Sequence, residues 1–121
     1  MRTETIGGTR VLHVPPQGPA LGTGQDALDL VGDAWAAEAE VLAVPAGRLA
    51  PSFFDLATGQ AGEFLQKLVN YRLRLAVVGD IAEHLAGSGA LRDFVRESNR
   101  GAHVWFLDDD AQLAARLAPA P

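Results

Sequence analysis

Three short, almost wholly apolar runs constrain this chain most. They are Val41-Leu42-Ala43-Val44, Leu73-Arg74-Leu75-Ala76-Val77-Val78 and Val104-Trp105-Phe106-Leu107. Each is closed by residues that end a strand: Pro45, Gly79-Asp80 and Asp108-Asp109. A strand with little polar alternation is buried on both faces, and such strands sit centrally in parallel sheets. Parallel neighbours need crossovers of a dozen or more residues, usually helical. The segments between the runs supply them. Residues 58–71 place Phe64, Leu65, Leu68 and Val69 on one helical face, and residues 90–99 do the same with Leu91, Phe94 and Val95. Ser88 precedes the second of these as a cap, and Gly101 stands where a left-handed C-terminal residue belongs.

Before the first run the chain reads as a hairpin followed by a helix. Residues 3–6 and 9–14 flank Gly7-Gly8, a two-residue turn whose positions both tolerate positive φ. Pro15-Pro16 stops the second strand, and Ala20-Leu21 allows a short extended contact. From Gln25 to Glu38 the period is helical, with Leu28, Val31 and Trp35 on the expected inner face and Ala27 and Ala34 beside them. Thr23 and Asp26 have capping-box spacing. Asp109 and Gln112 repeat that spacing before a last helix through Leu117. The order β-β-α-β-α-β-α-β-α describes one α/β domain over residues 1–121, with a mixed, mostly parallel sheet, an N-terminal hairpin and about four helices.

Composition narrows the function classes. A chain of 121 residues is long enough for one domain with a real core. The absence of cysteine excludes thiol catalysis, disulfide scaffolds and cysteine metal sites. A net charge of −5 argues against nucleic acid and anionic membrane surfaces as partners. No apolar run reaches the roughly 20 residues of a bilayer span, and no h-region follows the first residues, so a cytoplasmic location is expected.

In open α/β sheets, sites gather at the carboxyl ends of the strands. Here that rim comprises the long connection 45–57, residues 79–89 and Asp108 to Asp110. The first runs beyond the roughly 2–6 residues usual for such links. Ser52-Phe53-Phe54-Asp55 fits one helical turn, capped by Ser52, that plugs the sheet end. Thr58 then caps a helix start weakened by Gly59 and Gly62, so a ligand or partner is expected over its N–H groups. The same residues are also consistent with a plain cap. No lysine follows these glycines, which excludes a P-loop.

Other constellations are poor. Gly22-Thr23-Gly24-Gln25-Asp26-Ala27 matches a dinucleotide fingerprint, but Pro15, Pro16 and Pro19 leave no strand before it. His13, His84 and His103 lack metal-ligand spacing, and Ser88 has no base nearby in sequence. Asp80 and the Asp108–Asp110 group could hold a hard cation or serve a hydrolase, yet such residues more often cap helices. Arg92, Arg96 and Arg100 recur every fourth residue, with Asp93 and Glu97 offset by one. They form either a ridge for an acidic partner or a solvated face paired with its own neighbours.

The run Phe53-Phe54-Asp55-Leu56-Ala57-Thr58-Gly59-Gln60-Ala61-Gly62-Glu63 carries a resemblance, as do Val69-Asn70-Tyr71-Arg72, Val78-Gly79-Asp80 and Leu91-Arg92-Asp93-Phe94. Together they resemble the bacterial "domain of unknown function" 4180 family, over nearly the whole chain. The strand–helix order is also similar to STAS domains, the fold of anti-sigma-factor antagonists. That likeness implies a regulatory role and a phosphorylatable residue at a helix start, for which Thr58 and Ser52 are the candidates. The adjacent Asp-Ser pair of those antagonists is missing.

The expectation is therefore a STAS-like binding domain without catalysis, metal or cofactor. Its binding surface centres on Phe53, Phe54, Asp55, Thr58 and Gly59, with Asp80 and Arg92 nearby. A protein partner or a homodimer through an exposed Phe pair is expected first. The alternative is a small molecule in a pocket beneath residues 45–57, and a hydrolase using rim carboxylates comes last. If the glycines serve binding, alanine at Gly59 and Gly62 stabilises the fold slightly.

Overall fold

A computed structural model describes residues 1–119. Strand β1 (Arg2–Ile6) turns at Gly7-Gly8 into β2 (Thr9–His13), and the two pair antiparallel with Arg2 opposite His13. Helix α1 (Gly24–Ala36) leads to β3 (Val41–Pro45). Two 3-10 turns, Ala46–Arg48 and Leu56–Thr58, bracket α2 (Pro51–Phe54), after which α3 (Gln60–Asn70) leads to β4 (Arg74–Val78). Then follow α4 (Ala82–Ala86), α5 (Gly89–Arg100), β5 (Val104–Leu107) and α6 (Asp110–Leu117). The strands lie side by side in chain order, with β2, β3, β4 and β5 parallel. This is a single α/β domain whose five-stranded mixed sheet begins with a hairpin. The six helices exceed the expected four because α2 and α4 are single short turns. The segment containing α4 carries no run long enough to show a period.

The two sheet faces carry two cores. Leu12, Val14, Leu42, Val44, Leu75, Val77 and Phe106 face α1, α3 and α5. Val11, Val41, Ala43, Ala76, Trp105 and Leu107 face α6 through Leu113 and Leu117. Burial on both faces is why β3 and β4 read as apolar runs. Crossovers that advance in one direction across a sheet, all with the same right hand, must stack on one face. Only α6 is then left for the other.

Several local expectations are met and others corrected. Thr23 and Asp26 form the capping box, Asp26 N–H donating to Thr23 Oγ1 at 3.0 Å and Thr23 N–H to Asp26 Oδ2 at 3.1 Å. Leu21 makes a parallel bridge with Leu49. The buried face of α1, however, is Ala27, Leu30, Val31 and Ala34, while Trp35 is 69% exposed. Small side chains let α1 approach α3 closely, and a Trp one position beyond Ala34 is turned outward. On α3, Val69 is exposed and Ala61, Phe64 and Leu68 are buried. Gly101 is extended (φ −88°, ψ −171°), with no left-handed turn. Gln112 N–H donates to Asp109 Oδ1, but the Gln112 side chain accepts from Asp108 N–H, one residue before the cap.

Helix α6 is held at its last turn. Its Arg116 donates to Asn99 O and lies over the Trp105 ring, 5.0 Å from the centroid. Toward the hairpin edge of the sheet a Cβ on Gly7 (φ 57°) would overlap the Leu117 carbonyl, so the hairpin turn and the end of α6 require glycine there. Gly8 (φ 84°) has open space around its Cβ position. Gly7→Ala is therefore expected to cost about 2 kcal/mol or more, against about 1 kcal/mol for Gly8→Ala, read as urea midpoints.

Burial pushes the Asp26 carboxyl up, but hydrogen bonds from Thr23 and Gly22 N–H, the Thr23 hydroxyl and nearby Arg48 outweigh it, and its pKa is lowered. A lowered folded-state pKa adds stability above the ordinary carboxyl value of about 3.9, lost as pH falls through the folded value. Asp26→Asn should cost about 1 kcal/mol at neutral pH and flatten the acid limb of the stability curve.

Candidate functional site

The connection after β3 folds back over the carboxyl end of the sheet. Leu21 ties it down: Leu21 N–H donates to Arg48 O at 2.9 Å, and Leu21 O accepts from Ala50 N–H at 2.8 Å. Pro51 opens α2, where its missing N–H costs nothing. Phe53 and Phe54 are 1% and 4% exposed. Phe53 meets Phe54 and Phe64 edge to face at 5.4 and 5.5 Å, and Phe54 stacks on His84 of α4 at 4.2 Å. The turn is therefore the plug that the sequence suggested, and the alternative of an exposed Phe patch is ruled out. Both rings are core, because a single apolar turn laid over a sheet end has nowhere else to bury them. Phe53, Phe54 and Phe64 thus pack as one aromatic cluster under this segment.

What the segment presents to solvent is polar and internally bonded. Thr58 Oγ1 donates toward Ser52 O and Asp55 O, at 2.9 and 2.8 Å, and accepts from Gln60 N–H at 3.2 Å. Ser52 Oγ donates to Gln60 Oε1 at 2.8 Å and caps nothing. Asp55 Oδ1 accepts from Ala57 N–H. The residue capping α3 is Gly59 (φ 74°), not Thr58. Gly62 lies in the first helical turn with no atom within 4 Å of its Cβ position, so the chain itself gives no packing reason for glycine there.

The remaining candidates act locally. Asp80 Oδ1 accepts from Ala82 N–H at the start of α4, and Arg92 donates to Leu85 O at its end. Arg96 and Arg100 pair with Asp93 and Glu97 at 2.6 and 3.2 Å. Among the described residues, no group of three or more His, Asp or Glu is placed to hold a metal ion. No helix among them is long and apolar enough to cross a membrane.

A cleft of about 620 Å³ lies at the same rim but on the α6 side of the sheet. Ala43, Pro45 and Val78 form its floor; Pro15, Pro16 and Arg2 flank it; Asp109 and Asp110 project from the start of α6. His13 joins it from the end of β2, its Nε2–H donating to Glu4 Oε1 at 2.9 Å, since a carboxylate can only accept. Sequence reasoning missed this cleft. One usable signal was Ala43, the small residue of an otherwise bulky strand; the register places it beside His13, which stands opposite Arg2.

A family model described as "Domain of unknown function (DUF4180)" matches residues 6–117. No curated protein and no solved structure matches the chain.

Thr58→Ala removes a hydroxyl with three partners and should lower stability by about 1 kcal/mol. Gly62→Ala should raise it by up to about 1 kcal/mol, whereas Gly59→Ala, at positive φ, should lower it by about 1 kcal/mol. Chemical denaturation of the three variants separates these signs.

Proposed function

The chain belongs to the DUF4180 family, and from its geometry we propose that it is a non-catalytic cytoplasmic domain that binds a small molecule in the cleft at the sheet rim. The cleft itself carries the reading. Its volume of about 620 Å³ lies within the usual range of roughly 300–1,000 Å³ for ligand sites. An apolar floor with a few polar groups at its margin is the ordinary composition of such sites. The guanidinium of Arg2 and the carboxylates of Asp109 and Asp110 line it together. They suit a ligand bearing both an acidic and a basic group around a small apolar body. A regulatory role, as in STAS domains, is consistent with the strand–helix order alone.

A second reading, recognition of a protein partner, is favoured by Gly62. The outer side of residues 55–63 is pre-ordered, exposed at Asp55, Thr58 and Gly59, and bare at Gly62. A surface already ordered loses little entropy on association. Phosphate on Thr58 would remove the hydroxyl proton that bonds Ser52 O and Asp55 O, which gives such a modification a structural consequence.

Native mass spectrometry of the chain purified from its own host separates the two. A small adduct held by the wild type and lost from both Arg2→Ala and Asp110→Ala supports the cleft, and retention in both variants overturns it. A protein-sized adduct lost from Gly62→Glu alone supports the second reading in its place.

A further inference from the structure

Helices α1 and α3 pack side by side and finish at the amino end of the strands, opposite the rim, where their last turns bound a groove of about 430 Å³. Trp35 and Tyr71 line it and are 69% and 58% exposed. Val69, two residues before Tyr71, is 47% exposed. Among the described residues the only other large apolar side chain this exposed is Met1. Exposed apolar side chains concentrated in one place, aromatic ones above all, mark interaction surfaces.

A second feature coincides with the groove. Glu38 and Arg72 have positive φ, 56° and 59°, the two non-glycine residues that do, and both line it. Each occupies the left-handed position after a helix, where glycine is favoured. The local bonding demands that conformation: Ala39 N–H donates to Ala34 O and Leu73 N–H to Leu68 O, both at 2.9 Å. The chain thus sets a carboxylate and a guanidinium at the two helix ends despite the strain. Neither enters an ion pair among the described residues.

We propose that this face binds a second copy of the chain about a twofold axis. Trp35 and Tyr71 of each protomer pack into the other's groove, and Arg72 pairs with the partner's Glu38. An isologous contact needs a patch complementary to itself, which requires both charges within it. A wholly acidic face would repel an identical chain of net charge −5. A uniformly acidic partner meets Glu38 and Glu40 here, and a uniformly basic one meets Arg72. Each Arg72 would also approach a carbonyl-bearing helix end on the other protomer, where cations are favoured.

Trp35 provides the readout, because the other tryptophan, Trp105, is buried within the domain. Sedimentation should show a reversible monomer–dimer equilibrium, and tryptophan emission should shift to the blue as concentration rises. Trp35→Ala and Tyr71→Ala should each raise the dissociation constant by about tenfold or more with unchanged circular dichroism, since both side chains are already exposed in the monomer. Glu38→Arg and Arg72→Glu should each weaken the dimer, and the double swap should restore it. The proposal is overturned if the chain stays monomeric at the highest attainable concentration. It is equally overturned if a dimer forms that Trp35→Ala leaves unchanged, or if the double swap is no tighter than the single variants.

Discussion

Every strand of this sheet lies beside its neighbour in chain order, and the rest of the molecule follows from that constraint. Three parallel crossovers advancing in one direction put α1, α3 and α5 on one face. The other face has only α6, eight residues long, to cover Val11, Val41, Ala43, Ala76, Trp105 and Leu107. An element so short has little intrinsic stability. Its position is therefore fixed from outside, by Arg116 against Asn99 and Trp105 and by the approach of Leu117 to Gly7. Beside the start of α6 the carboxyl rim of the sheet is left uncovered, and the cleft beside His13 is that remainder.

The other face solves the opposite problem, a sheet end left open by helices that pack alongside it. Residues 45–58 close it with two 3-10 turns and one α-helical turn, whose Phe53 and Phe54 reach Phe64 and His84. Length in this connection thus reflects packing first. Its polar outer side, centred on Thr58, is a consequence: Ser52 O and Asp55 O each accept one N–H, from Asp55 and Thr58, and the Thr58 hydroxyl bonds both carbonyls a second time.

Much of this was legible beforehand, and the exceptions share a cause. Apolar runs located β3, β4 and β5, and Gly7-Gly8 and Thr23/Asp26 marked the hairpin and the first cap. These signals are local, carried by residues within one or two turns of each other. Trp35 was placed inward because Leu28, Val31 and Trp35 have helical spacing. Ala27 and Ala34 were placed beside them, and close packing on α3 centred the buried face on those alanines, with Leu30 inward and Trp35 outward. For Phe53 and Phe54 the sequence left two readings, a turn plugging the sheet end and an exposed binding patch, and contact with Phe64 and His84 decides for the plug. The cleft joins Arg2, His13, Ala43 and Asp110, which no local pattern connects.

By itself, then, the amino-acid sequence determined the fold class, the strands and most helix boundaries, through periodicity and capping that act over a few residues. Tertiary structure alone decided which helix face is buried, which rim residues are core, and where two surfaces stay open. Those outcomes depend on the distances at which whole elements can pack. That distance is set by small residues such as Ala27, Ala34 and Gly7, which say nothing until their neighbours across the fold are in place.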